Sequence, residues 1–311
     1  MSTPRKLLVA GATGKQGGAL IRALLAKQSQ PFEIYALTRN ATSRSAQVLA
    51  KQPNVRIIQG DFDSPKAIFK QVKEPWGFFS VTMPMNAWKE EAQGKAMTAA
   101  ALDAGVKHIV FTATDRGGDG KSDTEPTNVP HFASKYNIEQ DIKAHANASA
   151  SNNENKQELT WTFLRPVAFY ENLSNDFMGK GFTSMWRLNG PDRPLQLVST
   201  SDIGRIAAEA FLHSDNAEYR NQSISLAGDE LSPDEAAKSF TQVTGKIMPD
   251  TYGFVGWGLR KALHEQLGIM FDWFVTDGFG VNVKALRKRY PYMQDFGTWL
   301  REESAWKESS S

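Results

Sequence analysis

Short apolar runs alternate with stretches of helical spacing over the first half of the chain. Leu7-Leu8-Val9-Ala10, Phe32 to Thr38, Val55 to Gln59, Gly77 to Thr82, Ile109 to Thr112 and Leu159 to Arg165 read as six strands. They are apolar over most of their length, as strands buried on both faces are. Apolar positions recur every three or four residues over Ala19 to Leu25, about Pro65 to Val72, about Ala87 to Ala104 and Pro130 to Ala146, which predicts helices. Gly105 stands where the third of these must end. Strand and helix in turn imply parallel βαβ units, hence an α/β fold with a doubly wound parallel sheet and ligand at the carboxyl ends of its strands.

Asn147 to Gln157 is almost wholly polar and reads as an exposed, mobile insertion without chemistry. Past Pro166 the pattern turns irregular and richer in Gly, Pro, Trp and Phe. Thr200-Ser201-Asp202 predicts the cap of a helix through about Leu212, and Ser232-Pro233-Asp234-Glu235 opens another. Trp257, Trp273, Trp299 and Trp306 fall at helical spacings, a stripe that reads first as core. The expected division is a sheet domain over 1–166, to which later segments are free to add strands, and a smaller, mainly helical lobe over 167–311.

The turn after the first strand carries the first chemistry. Gly11-Ala12-Thr13-Gly14-Lys15-Gln16-Gly17-Gly18 lies between a strand and an amphipathic helix. A side chain beyond Cβ would hold a pyrophosphate off such a turn, so Gly11 and Gly14 permit close approach, and Gly17 lets the helix pack on its strand. Free N–H groups and the positive end of the helix dipole then bind phosphate. The second strand ends about twenty residues on in Arg39-Asn40 rather than in an acid. A carboxylate there would bind the ribose 2′-hydroxyl of NAD and repel a 2′-phosphate, whereas a guanidinium clamps that phosphate. Arg39 is that clamp or a solvated loop residue; the sequence favours NADP(H) over NAD.

The chain of 311 residues is 41% hydrophobic with a formal net charge of +2, enough for one large core or two smaller ones and without a bias toward nucleic acid or anionic membranes. The basic cluster Lys284 to Arg289, interrupted by Ala285 and Leu286, reads as a helix terminus stopped by Pro291. There is no cysteine, so disulfides, thiol catalysis and cysteine-ligated metals are excluded, and the five histidines form no metal motif. No signal-like or membrane-length apolar run is present, so a cytoplasmic or nuclear location is expected, with the sequons at Asn40, Asn147, Asn172 and Asn221 unused.

Five segments in order carry a resemblance: Gly11 to Gly18, Arg39-Asn40, Gly60-Asp61-Phe62, Pro130-His131-Phe132-Ala133-Ser134-Lys135 and Phe169-Tyr170-Glu171-Asn172-Leu173. Together they resemble the NmrA-like family, an atypical branch of the extended short-chain dehydrogenase/reductases. The resemblance implies a Rossmann domain, a small carboxyl-terminal lobe and bound NADP(H) or NAD(P). It places Gly11, Ala12, Thr13, Gly14, Lys15, Gln16 and Gly17 at the pyrophosphate, and Arg39, Asn40, Ala41, Thr42 and Ser43 at the 2′-phosphate. Asp61 and Phe62 would border the adenine, Thr82, Met83 and Pro84 the adjoining ribose and pyrophosphate, and Phe169, Tyr170, Glu171 and Asn172 the nicotinamide end. For Asp61 a plain turn role stands beside this, and for Phe169 and Tyr170 plain core packing.

Lys135 decides the active-site question. Typical short-chain dehydrogenases use Tyr-x-x-x-Lys, two side chains one turn apart on one helix face. Here His131 holds the tyrosine position, and no tyrosine in the chain has lysine four residues later. His131, Lys135, Ile138 and Ile142 share a stripe, and a lysine among isoleucines is costly without a partner. The nicotinamide ribose would supply one. His131 is a proton donor poised near neutral pH, or a capping or packing residue. Thr112 and Thr114 stand where the wider superfamily often places a catalytic hydroxyl, and are also ordinary strand formers. Two functions stand: an NADPH-dependent reductase of a small organic substrate, with hydride from the nicotinamide, or a non-catalytic NADP(H) sensor acting through a protein partner.

Overall fold

The computed structural model describes residues 3–27, 31–84, 86–151 and 158–306. In chain order β1 (Arg5–Val9), α1 (Lys15–Leu25), β2 (Phe32–Thr38), α2 (Arg44–Ala50), β3 (Val55–Gln59), α3 (Pro65–Phe69), β4 (Gly77–Val81), α4 (Ala87–Asp103) and β5 (His108–Thr112) alternate, all but α2 as expected. Then come α5 (Asp119–Thr124), α6 (Pro130–Ser151), β6 (Thr160–Pro166), β7 (Ala168–Phe169), α7 (Phe177–Arg187), β8 (Leu195–Val198), α8 (Thr200–Leu212), β9 (Gln222–Leu226), β10 (Asp229–Leu231) and α9 (Pro233–Thr244). Four further helices follow: α10 (Gly253–Ala262), α11 (Ile269–Thr276), α12 (Val283–Arg289) and α13 (Phe296–Glu302).

Seven strands form a sheet in the order β3-β2-β1-β4-β5-β6-β9, with every pair from β3 to β6 parallel. The chain winds outward from β1 in one direction and from β4 in the other, so the strand order reverses between them. That reversal opens a crevice at their carboxyl ends. The turn Gly11 to Gly14 follows β1 and Thr82 to Pro84 follows β4, so both segments leave the sheet at this point.

The chain divides into two units, the first formed by 1–113, 134–165 and 203–224, the second by 114–133, 166–202 and 225–311. Two stretches thus cross the boundary expected near Pro166. In the first unit Leu8, Ala10, Phe78, Ile109, Phe111 and Phe163 of the sheet pack with Met97 and Ala101 of α4 and Ile138 and Ile142 of α6. The second has its own core, in which Tyr170, Trp186, Phe240, Phe271, Phe296 and Trp299 are buried. It also holds a three-stranded sheet, β10-β8-β7, in the lobe expected to be mainly helical.

Local differences from the expected elements have local causes. α2 was not expected, because its seven residues bury only Ala46 and show no apolar stripe. α6 continues into the polar stretch as far as Ser151, and 152–157 of the expected insertion lie outside the described residues. The cap of α8 lies one residue earlier than expected. Ser199 Oγ accepts from Ser201 N at 3.0 Å, and Glu171 Oε1 accepts from Thr200 N at 3.0 Å. Ser232 and Glu235 form the reciprocal capping box at α9. No helix among the described residues is long and apolar enough to cross a membrane.

At the amino end of the sheet His108 is enclosed in the first unit. Trp76 stacks on its ring at 6.1 Å, Phe211 meets it edge-on at 5.7 Å, and the Thr160 hydroxyl lies 2.8 Å from Nδ1. Burial, with Arg220 and Arg5 nearby, lowers its pKa from 6.5 to about 3. The folded state therefore keeps this imidazole neutral while the unfolded chain takes up a proton below pH 6.5. That part of the stability is complete above 6.5 and is lost as pH falls toward 3. Urea denaturation should show about 2 kcal/mol lost from this group between pH 7 and pH 5, and His108→Phe should flatten that dependence.

Candidate functional site

Within the first unit the glycine turn is built for close approach. Gly11 has φ +59°, a left-handed conformation that favours glycine, and a Cβ on it would lie 2.9 Å from Val81 Cγ1. Gly17 sits so tightly on the turn that a Cβ would stand 2.7 Å from the Ala10 carbonyl oxygen. Gly14 occupies the N-cap of α1 in extended conformation, and no side chain caps the helix. Gly11, Thr13, Gly14 and Lys15 are exposed, and Ala12 is buried. Gln16 Oε1 is buried with no hydrogen-bond partner among the described residues. An uncapped helix start and an open backbone fit a phosphate-bearing ligand, whereas the orphaned Gln16 acceptor calls for a hydroxyl or N–H donor.

The loop after β2 is held by its own polar groups. Asn40 Oδ1 accepts from Thr42 N at 2.9 Å and Thr42 Oγ1 at 2.7 Å, and Gln59 Oε1 accepts from Ala41 N at 3.3 Å. Ser43 Oγ donates to the Asn40 carbonyl at 2.9 Å and caps α2 by accepting from Ala46 N. Asn40, Thr42 and Ser43 thus shape the loop, while Arg39 is exposed and enters no ion pair among the described residues. Asp61 Oδ1 closes a turn onto Asp63 N at 3.0 Å, and Phe62 packs on the first unit's core. Met83 and Pro84 are exposed.

Lys135 has the partner its setting demands, and it is a side chain. Its Nζ pairs with Glu90 Oε1 and donates to Thr82 Oγ1 at 3.0 Å. Glu90 is buried, and its oxygens also accept from Thr82 Oγ1 at 2.6 Å and Ser134 Oγ at 2.7 Å. The sequence offered the ribose as that partner; the structure adds Glu90 and Thr82. An ammonium has three N–H donors, two are engaged, and the side chain remains 12% exposed, so one donor is left for a ligand hydroxyl. Glu90 was missed by sequence reasoning. The signal lay in α4, where Glu90, Gly94, Met97, Thr98 and Ala101 make one buried face containing a single charge.

The remaining expected positions fall in different settings. Thr112 closes β5 in the first unit with its hydroxyl buried and unpartnered among the described residues. Thr114, in the second unit, donates to the Pro166 carbonyl at 3.2 Å. His131 is half-buried in the first turn of α6, its ring edge-on to Phe132 at 4.8 Å. Phe169 pairs with Val198 across β7 and β8, and Asn172 ends the following turn. Tyr170 is fully buried, stacked on Trp299 at 5.4 Å, and donates to the Gln294 carbonyl at 3.3 Å. Burial pushes its phenol well above the usual range. Glu171 spends one oxygen on the Thr200 backbone and hydroxyl. Tyr170 and Glu171 thus serve the packing and capping of their own unit. No cluster of three metal-ligating side chains occurs among the described residues.

Comparisons with known proteins agree with this architecture. The sequence model of the NmrA-like family matches residues 3–278. An NmrA-like family domain-containing oxidoreductase of Aspergillus flavus, lnaB, is 28% identical over 313 aligned residues, covering 89% of this chain and 86% of the relative. Among solved structures, the Citrobacter sp. triphenylmethane reductase complexed with NADP(H) superposes with a TM-score of 0.71 at 20% identity, covering 95% of this chain and 98% of the other. NmrA, a negative transcriptional regulator, superposes with a TM-score of 0.68 at 20% identity over 97% and 96%. At such identities these two likenesses show the fold.

The turn also yields a sign test. Glycine to alanine inside a helix ordinarily stabilises by up to about 1 kcal/mol. At Gly17 the backbone oxygens of Ala10 and Gly11 occupy the space, so Gly17→Ala should instead destabilise by about 1–3 kcal/mol in chemical denaturation. Gly14→Val, at an exposed extended position, should keep the fold by circular dichroism and lose dinucleotide in a binding titration.

Proposed function

The chain belongs to the NmrA-like family, and from that premise we propose that it binds NADP(H) and reduces a small organic substrate by hydride transfer. The observation that carries this reading is the pairing, within one unit, of an uncapped α1 start with an exposed Arg39 that has no carboxylate partner among the described residues. The turn Gly11 to Gly17 would hold the pyrophosphate and Arg39, on the loop shaped by Asn40 to Ser43, the 2′-phosphate. Asp61 and Phe62 would border the adenine. Lys135 would donate its remaining N–H to the nicotinamide ribose. The dinucleotide supplies the hydride; the chain supplies binding, orientation and a proton source. The naming of relatives such as lnaB as oxidoreductases supports the catalytic reading.

A sensor working through a protein partner is the second reading. It is favoured by one observation, the histidine at the position where Tyr-x-x-x-Lys enzymes carry their acid. Tyr170 supplies no replacement, since its hydroxyl is buried on the Gln294 carbonyl.

Calorimetry should find NADPH bound more tightly than NADH by about 1.5–3 kcal/mol, the worth of charge-assisted hydrogen bonds to the 2′-phosphate. Arg39→Ala should close most of that gap, and equal wild-type affinities would remove the NADP assignment.

Loss of 340 nm absorbance across a panel of quinones, enones and imines separates the two functions. A reductase using His131 as acid should turn over at least one of them, and His131→Ala should cut that rate about 10²- to 10⁴-fold with NADPH affinity nearly intact. Equal rates in both proteins would remove His131 from the mechanism, and a silent panel would favour the sensor.

A further inference from the structure

The buried pair Glu90–Lys135 presents a charge problem that its hydrogen bonds do not by themselves answer. A buried ion pair is a poor stabiliser, because desolvation offsets most of its attraction and apolar side chains can do as well. The seam between α4 and α6 is already closed beside it by apolar contact. A Cβ on Gly94 would lie 2.8 Å from Ile138 Cγ1, so Gly94 admits the isoleucine where a larger residue would not. That packing also fixes the register that sets Glu90 of α4 against Ser134 and Lys135 of α6.

The surroundings leave Glu90 as the counter-charge. Thr82, at the end of β4, contributes a neutral hydroxyl to Lys135. Glu91, the next carboxylate on α4, is engaged with Lys95 and Asn137, and Glu139 on α6 with Arg165. His131 lies four residues earlier on the same helix.

Charge matters here because the two forms of the cofactor differ in it. The nicotinamide ring of NADP⁺ is a cation, and that of NADPH is neutral. A bare ammonium on the nicotinamide ribose would repel the oxidised form alone. We propose that Glu90 is a positioning and charge-balancing residue: it aims Lys135 and cancels its charge, so that the site holds NADP⁺ and NADPH with comparable affinity. This rests on the reading of Lys135 as a cofactor ligand. A carboxylate that merely tied α4 to α6 would, on removal, weaken both forms alike.

The test is calorimetric titration of NADP⁺ and NADPH into the wild type, Glu90→Gln, Glu90→Asp, Lys135→Met and the double variant Glu90→Gln/Lys135→Met. The wild type should bind both forms within a few-fold. Glu90→Gln should weaken NADP⁺ about tenfold relative to NADPH, the size of one uncompensated charge at several ångströms in a partly screened site. Glu90→Asp should return the ratio to the wild-type value, and the double variant, with both charges gone, should lie near it. An unchanged ratio in Glu90→Gln overturns the proposal, whether or not both affinities fall. Should Glu90→Gln fail to fold, Lys135→Met against the double variant makes the same comparison with opposite sign: the unpaired carboxylate should favour NADP⁺, and equal ratios overturn the proposal. If Lys135→Met leaves both affinities at the wild-type value, it is the reading of Lys135 as a cofactor ligand that fails. If Lys135→Met weakens both and Glu90→Gln leaves their ratio unmoved, that reading stands and the role of Glu90 falls.

Discussion

The first unit depends on two backbone-to-backbone approaches that admit no side chain. Gly17 brings α1 onto the carbonyls of Ala10 and Gly11, and Gly204 brings α8 onto α1, where a Cβ would stand 2.6 Å from Leu20 N. Together they pin the start of α1 against the end of β1 from one side and its middle from the other. A helix held this close cannot shift by the few tenths of an ångström that a larger residue would require, because packed interiors lack the free volume. The N–H groups at its start are therefore presented at a fixed height above the switch point of the sheet. Whatever binds there meets a preorganised cradle and avoids the cost of ordering one.

Three of the buried carboxylates among the described residues are handled differently, and the differences separate structure from chemistry. Glu139 and Arg165 are both fully buried and meet through two contacts, of 2.9 and 2.8 Å. Asp115, in the second unit, accepts from the backbone N–H groups of Gly117, Gly118 and Gly280 and from the Ser225 hydroxyl, which makes it a clasp for loops. Glu90 pairs with a lysine that keeps a fraction of its surface and one donor in reserve. Desolvating a charge is tolerable in each case because partners are supplied, but only the third arrangement leaves capacity for something outside the chain.

Much of this was legible because burial writes itself into the sequence. β2 and β3 were bounded correctly: β2 is a nearly continuous buried run, and β3, at the sheet edge, keeps Val55 and Ile58 buried between polar ends. Gly105, with φ +84°, follows the C-cap of α4 as its position promised. The glycine turn needed no tertiary information, because its spacing states a local backbone geometry. α2 was illegible because a short helix with one buried alanine carries no periodic signal. The lobe's small sheet escaped because strands of two to four residues cannot show a period. The pairing of Glu90 with Lys135 joins residues 45 positions apart, and each side alone shows only a charge misplaced on an apolar face. Reading both faces together would have suggested the pair, since two opposite charges in two buried stripes have one economical solution.

The histidine at the tyrosine position narrows the chemistry that a reductase of this build can perform. Adding hydride to an ordinary ketone leaves an alkoxide, and the reaction then needs an acid already in hydrogen-bond reach. A phenol tuned by an adjacent ammonium does this in tyrosine–lysine enzymes. Here the ammonium at Lys135 is turned toward Glu90 and Thr82, and the buried phenol at Tyr170 toward a backbone carbonyl. An acceptor whose hydride adduct spreads its charge over a conjugated system, as a quinone or an activated alkene does, needs little acid in the transition state. Water can protonate that adduct afterwards. For a reductase of this build, the more delocalised the product anion, the less acid the chain would have to supply.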